Sequence, residues 1–315
     1  MSRYPSALPF PADAVMGRNL GRLDADTAGA LEARRAHLRE LALSLAAERL
    51  PLEILLERLG GAAPDQRYRP DCLGENAHFV EAAFTGLSLV ERIELCRMVC
   101  AEVGGVLTPA AFFADDEPVA ADARGIIAYL QNAFTDRAYR AFSGTMRHRV
   151  RSQYHDSYGA ACEAVSNGSC EACILPIEHA QDGKLLGFYR LIDRYELKIV
   201  CTCNIAQANG VESRFALLKK SFTFPLPDDA LAYLFELSIT RSTGHALGAV
   251  LDAAALCGLT VRRVDSIPLA YAEDSFAYHT VLAMTNAGQL TPFLLHLALD
   301  VPQYEPIGIY AHIQE

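Results

Sequence analysis

The sequence predicts an α/β region followed by an α+β region, both behind a helical N-terminal segment. Residues 125–222 alternate short apolar strands with helices, which is typical of an α/β layer. Residues 230–315 follow the order β-α-β-β-α-β, as in ferredoxin-like folds. Residues 1–110 repeat leucines at helical spacing. A chain of 315 residues can hold two or three compact units, since single domains usually run ~100–200 residues.

The composition argues against two classes of partner. The chain has a net charge of −10 and a pI near 5.4, so it would attract neither nucleic acid nor an anionic membrane. No apolar run reaches the ~18–20 residues that span a bilayer. The first residues lack the basic start and apolar core of a signal peptide. We therefore expect a cytoplasmic protein with free thiols.

The N-terminal 110 residues are predicted to form helices. The leucines of the first helix are Leu31, Leu38, Leu41 and Leu45. A second helix should begin at Pro51, because proline suits a first helical turn, and a third should cover residues 77–103. Residues 111–124 are polar and acidic and contain proline, which indicates a linker.

The two following regions are predicted to form sheets of different kinds. For residues 125–222 we expect a mostly parallel sheet, with strands at 125–130, 173–178, 197–205 and 214–222 and helices at 136–142, 157–167 and 184–195. For residues 230–315 we expect two helices on one face of a four-stranded antiparallel sheet. Its strands should lie at 230–240, 260–270, 276–285 and 305–313, and its helices at 244–259 and 289–299.

Four cysteines have a spacing that occurs in zinc sites. Cys170 and Cys173 form a CxxC pair, and Cys201 and Cys203 form a CxC pair, so four thiolates could surround a metal ion. The second pair lies in an apolar run that reads as a buried strand, where alternate residues share a face. Buried free thiols explain the pattern without a metal. We therefore predict no metal site.

Five segments in the middle of the chain form an ordered set of motifs. They read IIAYLQNAFTDRAY (126–139), CEAVSNGSCEA (162–172), ILPIEHAQDGKL (174–185), YRLIDRYELKIVCT (189–202) and VESRF (211–215). Together they resemble the prephenate dehydratase family, whose members convert prephenate into phenylpyruvate and carry a C-terminal ACT domain. The resemblance covers about residues 125–220. It implies a carbon–oxygen lyase of phenylalanine biosynthesis that acts on a prephenate-like substrate without a cofactor.

The resemblance also implies a catalytic set of five residues. Ser213 stands at the position of the family's catalytic threonine and would hydrogen-bond the departing hydroxyl of prephenate. Arg214 would bind a carboxylate. Phe215 completes this motif, and Glu178 and His179 would tune the proton balance.

The chain departs from the family pattern at the site itself. The family has a second lobe where this chain has seven residues, 205–211, between Asn204 and Glu212. His179 also replaces the family's asparagine. The sequence therefore predicts a single-lobe prephenate dehydratase-like α/β layer. Its site would be open to water, where hydrogen bonds stabilise a transition state less than in a closed cleft.

Residues 230–315 resemble the ACT domain, a small ligand-sensing module. The resemblance implies an aromatic amino-acid effector, bound by Gly244, His245, Ala246, Leu247, Asp265, Ser266 and Pro268. The N–H groups at the start of the following helix would favour the effector carboxylate. Asp265 would face its ammonium group. Because ACT domains commonly pair, the resemblance also implies a homodimer or a higher homo-oligomer.

Residues 1–110 occupy the place where bifunctional relatives carry a helical chorismate mutase. The arginines available for its dianionic substrate are Arg22, Arg34, Arg35, Arg39 and Arg49. The first lysine of the chain, however, is Lys184, whereas the mutase motif normally includes a helix lysine. A solvated helix explains the same charges. Both interpretations stay open.

Three functions also stay open. The chain could be an active prephenate dehydratase with feedback sensing. It could instead be a catalytically degenerate relative that senses an amino acid. It could also be a structural protein that forms a defined oligomer.

Overall fold

The computed structural model describes residues 25–47, 86–103, 108–113, 123–146, 148–206, 210–224, 233–240, 247–268, 276–300 and 304–315. The α-helices in these ranges are α1 (Ala25–Ala47), α2 (Leu89–Val103), α3 (Ala133–Ser143), α4 (Tyr158–Ser166), α5 (Leu186–Arg194), α6 (Leu247–Leu256) and α7 (Leu290–Asp300). Two short 3₁₀ helices cover Pro109–Phe112 and Ala287–Gln289. The predicted second helix, after Pro51, lies outside the described residues.

The strands of the described residues form one mixed sheet. They are β1 (Ile126–Leu130), β2 (Arg151–His155), β3 (Ala172–His179), β4 (Gly183–Lys184), β5 (Lys198–Ala206), β6 (Glu212–Lys219), β7 (Tyr233–Thr240), β8 (Thr260–Pro268), β9 (Phe276–Met284) and β10 (Tyr304–Ile313). Their order is β2-β1-β3-β6-β5-β10-β7-β9-β8, with β4 beside β3.

Two described strands of the middle region are reversed, the short β4 and the longer β6. β1 pairs in parallel with β2 and β3, whereas β6 is antiparallel to both β3 and β5. A parallel connection from β5 to β6 would need a crossover of a dozen or more residues. The chain has five residues, 207–211, between the two strands, so they form a hairpin. The expected mostly parallel layer is therefore interrupted at β6.

Strand β2 was not predicted from the sequence. Its residues, RSQYH, are polar, and four of the five are exposed. β2 lies at the edge of the sheet and pairs with β1. An edge strand without a buried face has no apolar alternation, which is the signal used to recognise strands.

A capping box sets the start of α3. The side chain of Asn132 accepts hydrogen bonds from the N–H groups of Phe134 and Thr135, each at 3.0 Å. The hydroxyl of Thr135 accepts from the N–H of Asn132 at 3.1 Å. These bonds satisfy N–H groups that the first helical turn leaves without partners. α3 therefore begins at Ala133, three residues before the predicted start.

The C-terminal region has the predicted β-α-β-β-α-β order. Its strands lie side by side as β10-β7-β9-β8, all antiparallel. This is the arrangement of a ferredoxin-like sheet. The N-terminal helix α2 packs against α6 and α7, and α1 packs against α2. Phe112 and Phe113, at the start of the predicted linker, are buried in the same core.

A single parallel pair, β5 with β10, connects the two halves of the described sheet. Gly308 of β10 lies beside Ile199 of β5 in the register of this pair. A Cβ atom at Gly308 would lie 2.6 Å from the carbonyl oxygen of Ile199. Glycine is therefore needed where the two strands approach.

Candidate functional site

The five residues that the resemblance marks as catalytic lie on two neighbouring strands. β3 and β6 are antiparallel, and their register places Glu178 opposite Arg214 and His179 opposite Ser213. Phe215 follows on β6 and is buried. The fold thus brings these residues together where β3 ends and β6 begins.

These residues do not all point to the same side of the sheet. Successive side chains of a strand alternate between its two faces. On β6, Leu217 packs in the core with α3, whereas Ala216 packs in the core with α4 and α5. Ser213 therefore shares the face of Leu217, and Arg214 shares the face of Ala216.

A β-bulge at Ile177 sets the direction of Glu178. The pairing with β6 shifts between Pro176 and Glu178, so Ile177 is an extra residue in β3. Ile177 itself packs in the core with α4 and α5, and simple alternation would turn Glu178 to the opposite face. With the bulge, Glu178 lies on the face of Arg214. The Arg214 Nη1 donates to Glu178 Oε2 at 2.9 Å.

The second group, Ser213 and His179, lies on the α3 face. Ser213 is 8% exposed. His179 Nδ1 lies 3.1 Å from Asp182 Oδ2. The hydroxyl expected to assist the departing group and the guanidinium expected to hold a carboxylate are thus on opposite sides of the sheet.

Glu178 is shared between two arginines from different halves of the sheet. Its Oε2 binds Arg214 of β6, and its Oε1 accepts a hydrogen bond from Arg263 Nη1 of β8. Burial would lower the pKa of Arg263, but hydrogen bonds with Asp265 and Glu178 raise it above its ordinary value, so Arg263 is charged. Arg263 lies outside the motifs that carry the resemblance and was not among the predicted site residues.

A buried ion pair lies next to this group. Glu236 of β7 is 1% exposed, and Lys184 of β4 is 6% exposed. Lys184 Nζ donates to Glu236 Oε1 at 2.5 Å. Tyr189 and Tyr310 donate to the same carboxylate at 3.2 and 2.8 Å. Glu236 was not among the predicted site residues. Its position within the apolar run YLFELSIT was a signal, because a buried carboxylate needs partners.

The ion pairs continue from one half of the sheet to the other. Lys184 Nζ also lies 3.4 Å from Asp265 Oδ2, and Arg263 Nε lies 2.7 Å from Asp265 Oδ1. Positive and negative groups therefore alternate from Arg214 through Glu178, Arg263, Asp265 and Lys184 to Glu236. The three arginine and lysine charges balance the three carboxylates.

His279 lies against this cluster and should give stability a pH dependence. Burial, and then the charge of Lys184, lower the pKa of His279 from 6.5 to about 4, although Glu236 and Asp265 act in the opposite direction. Between these pH values the unfolded chain binds a proton that the folded chain does not. The free energy of unfolding should therefore fall as the pH decreases from 6.5 to about 4. Urea denaturation across this window measures the effect.

The variant His279→Gln tests the assignment. It should show a shallower loss of stability across the window, because it removes the group that takes up the proton on unfolding. His37→Gln is the matched control, since His37 is exposed on α1. Equal slopes for the wild type and His279→Gln would contradict the burial of this imidazole.

No second lobe lies between the described strands β5 and β6. β5 and β6 pair directly, with Asn204 opposite Arg214 and Ala206 opposite Glu212. The connection between them is the end of a hairpin, so no lobe is inserted there. Arg263 of β8, in the ferredoxin-like region, contacts Glu178.

The residues expected to bind an effector are placed in part. Gly244, His245 and Ala246 lie outside the described residues. Leu247 is the first residue of α6. On β8, Asp265 is engaged by Arg263 and Lys184, Ser266 is exposed, and Pro268 pairs with Phe276 of β9.

The two cysteine pairs lie on opposite faces of the sheet. Cys170 and Cys173 pack in the core with α4 and α5, whereas Cys201 and Cys203 pack in the core with α3. Burial raises the pKa of Cys201 and of Cys203 to about 12. The described ranges contain no group of three or more His, Cys, Asp or Glu side chains placed to hold a metal ion.

The arginines considered for a mutase site are partly described. Arg34 pairs with Glu91 of α2 at 2.5 Å, while Arg35 and Arg39 are exposed on α1. Arg22 and Arg49 lie outside the described residues. Among the described helices, none combines the length and the hydropathy of a membrane span.

Comparisons with known proteins give a modest likeness in fold. No protein-family model matches the chain, and no curated protein matches its sequence. Among solved structures, the chain is similar to a prephenate dehydratase from Streptococcus mutans, with 17% identity and a TM-score of 0.49 over 59% of this chain and 98% of the other. It is also similar to a quorum-quenching acylase, with 18% identity and a TM-score of 0.46 over 60% and 95% of the two chains. A prephenate dehydratase from Arthrobacter aurescens, solved in complex with L-Phe, gives 13% identity and a TM-score of 0.44 over 59% and 90%.

Proposed function

We propose that this chain is a degenerate relative of the prephenate dehydratases, which senses an aromatic amino acid and has little or no dehydratase activity. The observation that carries the proposal is the direct pairing of β5 and β6, which leaves no inserted second lobe to close a site over Ser213 and Arg214. Dehydration of prephenate needs the proton donor and the carboxylate-binding group on one substrate molecule. A site open to water, whose Arg214 already binds Glu178, does not meet that requirement.

The sensing half of the proposal is supported by the C-terminal region. Its β-α-β-β-α-β order and its strand order agree with the ACT-like resemblance of its sequence. α6 begins at Leu247, so its first N–H groups adjoin the loop where the effector carboxylate is expected. A homo-oligomer, a cytoplasmic location and a role in aromatic amino-acid biosynthesis are part of the same proposal.

The alternative is an active dehydratase that converts prephenate into phenylpyruvate. One observation favours it: Glu178 and Arg214 lie together on adjacent strands, 2.9 Å apart. In that case Ser213→Ala should abolish turnover. Phenylpyruvate formation that depends on Ser213 would therefore overturn the proposal.

The two halves of the proposal are tested on the same purified protein. We expect no phenylpyruvate from prephenate above the uncatalysed rate, even at high protein concentration. We expect L-phenylalanine or L-tyrosine to raise the melting temperature, since a ligand bound by the folded state stabilises it by about 1.4 kcal/mol at roughly ten times its Kd. A melting curve unchanged at millimolar amino acid would contradict sensing and favour a structural protein.

A further inference from the structure

Two arginines converge on the carboxylate of Glu178. Arg214 Nη1 donates to Glu178 Oε2 at 2.9 Å, and Arg263 Nη1 donates to Glu178 Oε1. Each oxygen of the carboxylate thus has its own guanidinium. One guanidinium belongs to the middle region of the chain, and the other belongs to the ferredoxin-like region.

Each guanidinium is also anchored at its other end. Arg214 Nε donates to Asn204 Oδ1 at 3.1 Å, and Arg263 Nε donates to Asp265 Oδ1 at 2.7 Å. With Nε fixed, the rotation of each planar guanidinium is restricted, and its Nη1 is aimed at Glu178. Anchored guanidiniums lose less entropy when they bind a carboxylate than freely rotating side chains do.

The exposure of these groups argues against a purely structural clamp. The side chains of Arg214 and Arg263 are 37% and 34% exposed, and that of Glu178 is 21% exposed. Ion pairs that are partly in water contribute little to stability. The bulge at Ile177 nevertheless turns Glu178 towards both arginines, and such bulges are often found beside functional sites because they re-aim a side chain.

We propose that Arg214 and Arg263 form a binding site for a small organic carboxylate, and that the side chain of Glu178 occupies this site as an internal substitute. A ligand carboxylate makes the same two charge-assisted contacts when Glu178 turns away towards water. The bound ligand then bridges the middle and ferredoxin-like regions, which supply one arginine each. The contacts with Asn204 and Asp265 stay in place, because they involve Nε.

Arg214, Arg263 and Glu178 are not among the residues expected to bind the aromatic amino acid, and Asp265, which is among them, only anchors Arg263 through Nε. Either proposal can therefore fail without the other. A melting-temperature change with an aromatic amino acid that persists in Arg214→Gln reports on the proposed sensing. The affinity for a simple dicarboxylate in variants of Glu178 reports on the two arginines.

The test is isothermal titration calorimetry with succinate. The variant Glu178→Gln keeps the size of the side chain but removes the competing charge, so it should bind succinate about tenfold more tightly than the wild type. Adding Arg214→Gln or Arg263→Gln to this variant should abolish the gain. Succinamide, which is uncharged, should not bind.

Glu91→Gln is the matched control. Glu91 pairs with Arg34 far along the chain from the site, and its replacement changes the net charge by the same amount. An equal gain in Glu91→Gln and Glu178→Gln would show a general charge effect and overturn the proposal. No gain in Glu178→Gln would overturn it as well.

Glu178→Asp keeps the proposal testable if Glu178→Gln does not fold. Its carboxylate is one methylene shorter, so it cannot hold both arginines at once. It should bind succinate more tightly than the wild type, but less tightly than Glu178→Gln would. Wild-type affinity in Glu178→Asp would then count against the site.

Discussion

Replacing Glu236 with alanine is expected to destabilise the protein by about 3–5 kcal/mol. Removal of one member of a buried ion pair leaves the other charge without compensation, and this costs more than the pair contributes. Here the remaining charge is Lys184, which is 6% exposed and keeps Asp265 at 3.4 Å as its other carboxylate. Tyr189 and Tyr310 also lose their acceptor. Urea denaturation followed by circular dichroism measures the change.

Two further variants show whether the effect arises from the buried charge. Glu94→Ala removes a carboxylate from the surface pair with Arg97, so its effect should stay within about 0.5 kcal/mol. The double variant Lys184→Met, Glu236→Leu removes both charges and should recover part of the lost stability, since Tyr189 and Tyr310 still lack their acceptor. If Glu236→Ala alone were as stable as the wild type, this result would contradict the buried ion pair of Lys184 and Glu236.

The substitution Gly308→Ala should destabilise the protein by at least about 1–3 kcal/mol, the usual cost of adding a methyl group to a packed interior. The new Cβ would lie 2.6 Å from the carbonyl oxygen of Ile199 and 2.7 Å from its Cβ. Relief of these contacts requires β10 to move away from β5. This pair connects the two halves of the described sheet, so the loss should appear in the global unfolding transition.

Gly248→Ala is the control for Gly308→Ala. Gly248 lies in α6, and no heavy atom of the described residues beyond its own helical turn lies within 4 Å of an added Cβ there. Alanine favours a helix over glycine, so this substitution should be neutral or slightly stabilising. Equal stability of the two variants would mean that β5 and β10 do not approach as closely as described.

Regular segments with an apolar pattern were predictable from the sequence. β3, β5 and the four strands of the ferredoxin-like region lie where their apolar residues indicate, because local hydrophobic periodicity encodes a buried face. β2 carries no such pattern and was missed. The start of α3 depends on the capping box of Asn132, which the periodic pattern does not reveal.

The candidate site was predictable as a set of residues but not as an arrangement. The motifs singled out Glu178 and Arg214, and the fold places them 2.9 Å apart. The direction of Glu178 depends on the bulge at Ile177, which shifts the alternation of β3 by one residue. No feature of the local sequence marks that shift. It becomes visible when β3 is paired with β6.

The sequence by itself determined the order and kind of most elements, since these depend on propensity and periodicity within a few residues. The tertiary structure decided which distant strands became neighbours. It paired β10 with β5, carried Arg263 to Glu178, and surrounded Glu236 with Lys184, Tyr189 and Tyr310. Such contacts depend on which pairing between distant strands is the most stable. Local sequence patterns do not specify which pairing that is.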